Sequence, residues 1–340
     1  MNIKNLNQLG FFGECFTRLF EDVGNQAHTS KAFFNNYPKE IYPILSTIYR
    51  LLDVSYIAED NYPYYDIKPL KTALVGFSCG KDSVATIIKL KNQGYDVIAF
   101  AVQGINRQYP KELENAQKLC DMLEVPLVIY KISCLGKSEY FENPLKNLLI
   151  LSYMLDYGIP LGITNYCLGT YVKDDFSGSN ILYNWSDSCE LLQMFSDFVK
   201  KFFPNYQYIH GLDIDNHPYK IILKSNYDTM ELMNLIYSCI TTNRFRMSLR
   251  KKNIEKFHLE DLFEGRCTQC YKCAYEYITF VHLGYLKVNL PYYKHCHKIL
   301  ISKMKQVYNI DPSSVNLTKD LIYNIYGIPT VEDSQNWKRP

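Results

Sequence analysis

Apolar runs and amphipathic segments alternate along the middle of this chain. Short apolar runs, typical of buried strands, occupy residues 72–78, 96–102, 126–130 and 162–168. Between them, apolar side chains recur at helical spacing in residues 82–93, 112–123 and 143–157. Strands that alternate with helices of this length predict an α/β fold with a doubly wound parallel sheet. In such a sheet, ligands bind at the carboxyl ends of the strands, near the switch point.

The segments on either side of this alternating pattern predict additional parts. Residues 188–202 and 229–240 have helical patterns, and residues 243–256 are basic. We therefore expect a helical N-terminal extension, an α/β core, a basic insert with a cysteine knuckle, and a helical C-terminal extension. Their expected bounds are residues 1–70, 71–240, 241–280 and 281–340.

The composition is that of a globular protein and narrows the classes of partner. Of 340 residues, 47% are apolar and 21% are charged, and the formal net charge is +2. A net charge this small predicts no strong electrostatic field around the protein. We therefore do not expect a nucleic-acid partner. The N-terminus lacks the pattern of a signal peptide, and the most apolar helical stretch, residues 145–155, is too short to span a bilayer. We expect a cytoplasmic protein without a membrane partner, whose eleven cysteines stay reduced.

The turn after the first strand of the core has the composition of an anion site. It reads Ser78-Cys79-Gly80-Lys81-Asp82-Ser83 and leads into a helix, whose first N–H groups and positive dipole end attract phosphate. It is not the P-loop of ATP-hydrolysing proteins. Three residues separate Gly76 from Gly80 where that motif needs four, and Lys81 is followed by Asp82 rather than Ser or Thr. The dinucleotide fingerprint G-x-G-x-x-G is absent as well.

Three cysteines have the spacing of a metal knuckle. Cys267, Cys270 and Cys273 form a C-x-x-C-x-x-C pattern, and in a reducing compartment such thiols predict zinc. A tetrahedral site needs a fourth ligand, and Cys239 and Cys296 are the candidates. An iron–sulfur cluster held by three cysteines is the alternative metal group.

The loop resembles the SGGKDS loop of the PP-loop ATP pyrophosphatases, with Cys79 in place of a glycine. That superfamily cleaves ATP between the α and β phosphates and leaves an adenylated substrate. The resemblance implies that Ser78, Ser83 and the loop N–H groups, including those of Cys79 and Gly80, hold the pyrophosphate portion. Lys81 would neutralise phosphate charge, and Asp82 would cap the helix, hold Mg²⁺, or both. Because glycine normally occupies position 79, the cysteine requires a compatible φ angle or some strain.

Further stretches in the same order along the chain resemble the 7-cyano-7-deazaguanine synthase family. This resemblance implies a HUP-like, Rossmann-like sheet, the cofactors ATP, Mg²⁺ and Zn²⁺, and a structural zinc ion. The resemblance also implies functional residues. The nucleotide site would include Gly104, Arg107 and Asn147, and the first zinc ligand would be Cys239. The substrate loop would contain Asp175, Phe176, Ser177, Gly178 and Asp187. The chain departs from the family in its expanded substrate loop and in the 27 residues between Cys239 and Cys267.

The family's reaction activates the carboxylate of 7-carboxy-7-deazaguanine with ATP, and ammonia then gives an amide that is dehydrated to the nitrile. The resemblance leaves several acceptors open. Relatives of the synthase occur in antiphage defence operons, where the acyl group is attached to a protein, and the added ends and basic insert favour such a protein acceptor. A PP-loop tRNA-modifying enzyme is a further alternative, which the small net charge disfavours. A regulatory subunit with a decayed site is favoured only by Cys79. We also expect a homodimer.

Overall fold

The structure is a computed structural model of the chain. It describes residues 2–4, 10–26, 31–48, 53–59, 62–103, 110–131, 145–169, 189–212, 218–236, 243–259, 266–282 and 285–308. Within these ranges lie eight strands: β1 (Asn2–Lys4), β2 (Lys31–Pro38), β3 (Asp53–Glu59), β4 (Thr72–Gly76), β5 (Asp96–Gln103), β6 (Leu127–Lys131), β7 (Asn165–Leu168) and β8 (Gln207–Tyr208). The same ranges hold eleven α-helices: α1 (Phe11–Gln26), α2 (Tyr42–Ile48), α3 (Lys81–Asn92), α4 (Pro110–Met122), α5 (Lys146–Gly158), α6 (Cys189–Lys200), α7 (Pro218–Leu223), α8 (Thr229–Leu235), α9 (Asn243–Phe257), α10 (Tyr271–His282) and α11 (Leu290–Tyr308).

Six of the strands form one parallel sheet. Its order is β1-β6-β5-β4-β7-β8, and every neighbouring pair is parallel. The chain leaves the central strand β4 toward β5 and β6, and then returns to the other side of β4 to form β7. The switch point of this doubly wound sheet therefore lies between β4 and β7, whose last residues, Gly76 and Leu168, are paired. The expected α/β fold class is confirmed.

The expected elements of the core are present, with shifts of one to three residues at most ends. The strand expected from residue 162 begins at Asn165, because Gly162, at φ 75°, ends a short 3₁₀ turn over Ile159–Leu161. The helix expected over residues 229–240 ends at Leu235, since the backbone of Ile236 is extended. Residues 237–242 lie outside the described ranges.

The N-terminal region differs from the helical extension that we expected. It contributes β1 to the edge of the main sheet beside β6, and β2 pairs with β3 in a separate parallel sheet. Its helix α1 packs against the core helices through edge-to-face aromatic contacts, such as those of Phe16 with Phe195 and Phe198. This region thus contains strands as well as helices, whereas the four expected domain bounds stay a prediction.

The chain forms two compact units. The first comprises Met1–Ser78 and Asp82–Asp213 and contains both sheets with their helices. The second comprises Cys79–Lys81 and Ile214–Pro340, and its described helices are α7 to α11. No helix in the described ranges is both long enough and apolar enough to cross a membrane.

Candidate functional site

The phosphate-type loop begins at the carboxyl end of β4, beside the switch point. The N–H of Phe77 donates to the carbonyl of Phe100 on β5 (2.7 Å), which extends the sheet by one residue before the chain turns. The N–H of Ser78 then donates to Oγ of Ser83, which is fully buried in the first turn of α3 (3.4 Å). The Ser83 hydroxyl therefore links the start of the loop to the first turn of α3. A role of Ser78 and Ser83 toward phosphate stays a prediction.

Cys79 adopts a backbone conformation that favours glycine. Its φ angle is 56°, in the left-handed region, and only 5% of its surface is exposed. For a residue with a Cβ atom this conformation costs roughly 1–2 kcal/mol relative to the right-handed one. The sequence argument that position 79 requires a compatible φ angle or some strain is therefore confirmed.

Two glycines that sequence analysis did not identify allow the backbone to approach closely at the switch point. Gly169 follows β7 directly, and its N–H donates to the carbonyl of Gly76 (3.1 Å). A Cβ atom on Gly169 would lie 2.4 Å from Cβ of Ser83 and 2.6 Å from the carbonyl oxygen of Gly76. A Cβ atom on Gly211 would lie 2.6 Å from Oγ1 of Thr86. A glycine immediately after a buried strand was the available signal for Gly169.

The other predicted nucleotide-site residues fall into two groups. Lys81 and Asp82, the first two residues of α3, are partly exposed, which suits contact with a ligand at the positive end of the helix. Asn147 is buried in the first turn of α5. The remaining predicted residues lie outside the described ranges: Gly104, Arg107, Asp175, Phe176, Ser177, Gly178 and Asp187.

The three knuckle cysteines converge in the second unit. Sγ of Cys273 lies 3.7 Å from Sγ of Cys267 and 3.4 Å from Sγ of Cys270. Four sulfurs bound to a tetrahedral zinc ion at about 2.3 Å are about 3.8 Å apart, so these separations fit one such ion. Sγ of Cys267 also accepts the N–H groups of Gln269 (3.5 Å) and Cys270 (3.2 Å), which stabilise a thiolate. The arrangement fits a single zinc ion better than a larger iron–sulfur cluster, whose cysteine sulfurs lie farther apart.

One of the two candidate fourth ligands lies apart from the three converging sulfur atoms. Among the described residues, only Cys267, Cys270 and Cys273 have their sulfur atoms within 4.8 Å of one another. Cys296 lies buried in α11, and its sulfur atom is not part of this group. Cys239 lies outside the described ranges, and its role as the fourth ligand stays a prediction.

A buried ion pair, missed by sequence analysis, supports the knuckle. Arg266 precedes Cys267 directly, and its guanidinium binds both carboxylate oxygens of Glu276, one through Nη2 at 2.8 Å and the other through Nε. The same guanidinium donates to the carbonyls of Met233 (2.9 Å) and Ile236 at the end of α8. Arg266 thus donates hydrogen bonds to carbonyls at the end of α8 that have no partner within that helix. One of these carbonyls belongs to Ile236, which lies three residues before Cys239 in the sequence.

Lys81 is connected to this pair within the second unit. Its Nζ lies 5.8 Å from the ring centroid of Tyr219, within the range of a cation–π interaction. The hydroxyl of Tyr219 in turn donates to Oε1 of Glu276 (3.4 Å). A continuous series of contacts therefore joins the lysine of the loop to the residue that precedes the knuckle.

Residues 72–142 match the family model described as "Queuosine biosynthesis protein QueC". The matched segment contains β4, the loop with Lys81, and the helix α3 that follows it. This match covers about a fifth of the chain. The resemblance inferred from the sequence is thereby confirmed for this QueC segment, and the antiphage branch stays a prediction.

Curated relatives agree with this assignment. A 7-cyano-7-deazaguanine synthase of Caldicellulosiruptor bescii is 28% identical over 124 residues, which cover 30% of this chain and 56% of that protein. The synthase of Caldicellulosiruptor saccharolyticus is 30% identical over 124 residues, covering 30% of this chain and 55% of the relative. The tRNA-specific 2-thiouridylase MnmA 2 of Fusobacterium nucleatum is 30% identical over 87 residues, which cover 26% of this chain and 22% of that protein. The chain thus spans about half the length of the synthases that it matches.

Proposed function

We propose that this chain is a QueC-like enzyme that adenylates a carboxylate with ATP and transfers the resulting acyl group to an amine. The observation that carries the proposal is the loop around Lys81, which begins at the switch point within the segment that matches the QueC family. The carboxylate is 7-carboxy-7-deazaguanine, by similarity to the synthases.

The proposed reaction has two steps. A carboxylate oxygen attacks the α-phosphorus of ATP, and the bond from that phosphorus to the oxygen bridging the β-phosphorus breaks and releases pyrophosphate. The amine nitrogen then attacks the acyl carbon and loses a proton, and AMP departs with the electron pair of the acyl–oxygen bond. Adenylation is needed because a carboxylate is a poor electrophile, and the site must hold amine and acyl-adenylate together while excluding water.

The residues of the loop have distinct roles in this proposal. The first N–H groups of α3 bind phosphate oxygens, and the Lys81 ammonium neutralises charge on the departing pyrophosphate. Asp82, in the first turn of α3, offers one carboxylate to Mg²⁺, an ion that protein sites bind through few carboxylates plus substrate phosphates. Bound Mg²⁺ supplies further charge neutralisation at the phosphates. The zinc ion has a structural role, because four thiolates leave no open position.

The amine belongs to a partner protein, and ammonia is the alternative that would make the chain a nitrile-forming synthase. The expanded substrate loop and the long chain ends support a protein acceptor over ammonia. The gene of such a partner protein would lie next to the gene of this chain, in an antiphage defence operon.

Pyrophosphate release tests the adenylation step. Purified protein is given ATP and 7-carboxy-7-deazaguanine, with and without ammonia, and Lys81→Ala is compared with Lys68→Ala, which alters an exposed lysine outside the loop. We expect pyrophosphate from the wild type and from Lys68→Ala, and a large loss in Lys81→Ala. Full activity of Lys81→Ala would contradict the assignment of the loop.

Mass spectrometry of the products distinguishes the acceptors. Nitrile formation with ammonia indicates the small-molecule synthase. An intact-mass increase on a co-expressed neighbouring protein, dependent on ATP and the carboxylate, indicates the protein acceptor. Absence of any such increase with each neighbouring protein would contradict the protein acceptor.

A second candidate is a tRNA-modifying enzyme with the same loop chemistry. Relatives of this type include the tRNA-specific 2-thiouridylase MnmA 2 of Fusobacterium nucleatum. The observation that favours it is an unequal distribution of charge, since α9 and α11 together contain ten Lys and Arg residues against one Glu, whereas the rest of the chain has a negative net charge.

A further inference from the structure

The small net charge conceals a strong separation of charge along the chain. Helix α9 contains six Lys and Arg residues against one Glu, and α11 contains four Lys and no acidic residue. These 34 residues therefore carry a formal charge of +9, so the rest of the chain, whose total is +2, carries −7. The expectation of no nucleic-acid partner rested on the net charge, which averages over these two regions.

The C-terminal end of α9 contacts the first half of α11 within the second unit. The ring of Phe257, at the end of α9, lies 5.4 Å from the ring of Tyr292 and 5.0 Å from that of His295, both on α11. The side chain of Asn289, just before α11, donates to the carbonyl of Phe257 (2.7 Å). Burial lowers the pKa of His295, and the positive charges of Lys256 on α9 and Lys298 on α11 lower it further.

The inner faces of both helices are fixed against the cysteine knuckle. On α9, the side chain of Asn253 donates to the carbonyl of Thr268 (3.2 Å), and Arg250 donates to the carbonyl of Arg266 (3.3 Å). On α11, the hydroxyl of Tyr292 donates to the same carbonyl of Thr268 (3.0 Å). The knuckle thus holds both helices in a defined arrangement.

The exposed sides of both helices carry lysines that pair with no carboxylate among the described residues. These exposed residues, which we name the lysine surface, are Lys251, Lys252, Lys256, Lys294 and Lys298. Within the described ranges, no carboxylate forms an ion pair with any of them. Lys294 and Lys298 are four residues apart on one helix, as are Lys252 and Lys256, so each pair extends along one side of its helix.

We propose that the lysine surface binds the phosphate backbone of a nucleic acid. Exposed lysines that pair with no described carboxylate, on two helices that contact each other, form the electrostatic footprint typical of phosphate contacts. An acidic protein partner is disfavoured, because the buried centres of protein interfaces are enriched in aromatic residues, Met and Arg and are depleted in Lys. This surface goes beyond the acyl-transfer function proposed above, and its binding does not require catalysis.

Binding as a function of salt concentration tests the proposal on the full chain. The probes are a labelled RNA hairpin, a DNA hairpin of the same sequence, and polyglutamate, each measured by fluorescence anisotropy. If all five lysines contact duplex phosphates, the slope of log K against log salt is roughly −4.5, which is a loss of about 500-fold in affinity between about 50 and 200 mM salt. A preference between the two hairpins identifies the natural source of the phosphate backbone.

Matched substitutions locate the binding surface. The test variant changes the five lysines of the lysine surface to Gln, and the control variant changes five exposed lysines of the first unit: Lys39, Lys68, Lys131, Lys200 and Lys201. We expect at least a tenfold loss of affinity and a flatter salt slope in the test variant only. Changing the lysine surface to Arg should retain binding, which separates loss of charge from loss of folding.

Three outcomes would overturn the proposal. The first is that the wild type binds neither hairpin at low salt, and the second is that the test and control variants lose affinity equally. The third is that the wild type binds polyglutamate but neither hairpin. The last outcome would assign the surface to an acidic protein. None of these results depends on adenylation, so they are distinguishable from failure of the proposed enzymatic function.

Discussion

The guanidinium of Arg266 and the carboxylate of Glu276 form a two-point ion pair beside the cysteine knuckle. Both side chains are almost completely buried, with 4% and 2% of their surfaces exposed. A buried pair of this kind stabilises a fold little in comparison with apolar side chains of the same size, but loss of one partner leaves an uncompensated buried charge. The pair therefore acts by fixing geometry, because Arg266 also binds the last carbonyls of α8 and precedes Cys267.

Loss of Arg266 should destabilise the second unit and weaken zinc binding. We expect Arg266→Met to lower the free energy of unfolding by about 3–5 kcal/mol, because Glu276 is then left unpaired. The double variant Arg266→Met/Glu276→Met should recover much of this loss of stability while zinc affinity remains reduced. Denaturant unfolding and zinc titration measure the two effects separately, and equal loss of stability in the single and double variants would contradict the argument.

Zinc content should depend on the knuckle and not on Cys296. We expect one zinc ion per chain in the wild type and a marked loss in Cys239→Ser, Cys267→Ser and Cys273→Ser, because each removes a thiolate ligand. Cys296→Ala is the matched control, since Cys296 is buried in the same unit but lies outside the group of three converging sulfurs. Elemental analysis of purified proteins measures this. Loss of zinc in Cys296→Ala with retention in Cys239→Ser would reverse the assignment of the fourth ligand.

The α/β core could be predicted from sequence because its strands are apolar and its helices are amphipathic, so each element has a local signal. The three residues of β1 are too few to show a pattern, and their place at the edge of the sheet depends on pairing with β6. Arg266 and Glu276 were missed for a related reason: their pairing depends on the folded arrangement around the knuckle. The unusual backbone at Cys79 was foreseeable, because a glycine is expected at that position.

Substitutions at Cys79 should change the stability of the protein according to how well the new residue tolerates a positive φ angle. Glycine relieves the cost of the left-handed conformation, whereas alanine keeps a Cβ atom there, so we expect Cys79→Gly to be more stable than Cys79→Ala by about 1 kcal/mol. We also expect ATP affinity and turnover to differ between Cys79→Gly and the wild type, because the loop N–H groups are then held less rigidly. Thermal unfolding and steady-state kinetics measure these effects. Unchanged ATP affinity and turnover in Cys79→Gly would refute the idea that Cys79 tunes the loop.

The stability of the first unit should depend on pH through Asp156. Its carboxylate accepts the N–H groups of Gly10 (2.8 Å), Phe12 (3.2 Å) and Gly13 (2.9 Å) at the start of α1. Burial nevertheless raises the pKa of Asp156 from 3.8 to about 7, because desolvation outweighs these hydrogen bonds. The folded protein thus holds this proton more tightly than the unfolded chain does. The contribution of Asp156 to stability is therefore fully present below about pH 4 and is lost as the pH rises to about 7.

Asp156→Asn should remove this dependence on pH, because the side chain no longer ionises. It should also weaken the attachment of α1, since the amide oxygen cannot accept all three N–H groups that the carboxylate binds. Asp66→Asn, at an exposed position in the same unit, is the control and should keep the pH profile of the wild type. The measurement is denaturant unfolding between pH 4 and pH 8, where each unit of pKa difference corresponds to about 1.4 kcal/mol. A wild-type stability that rises steadily with pH across this window, and is unaffected by Asp156→Asn, would show that the hydrogen bonds from α1 outweigh desolvation.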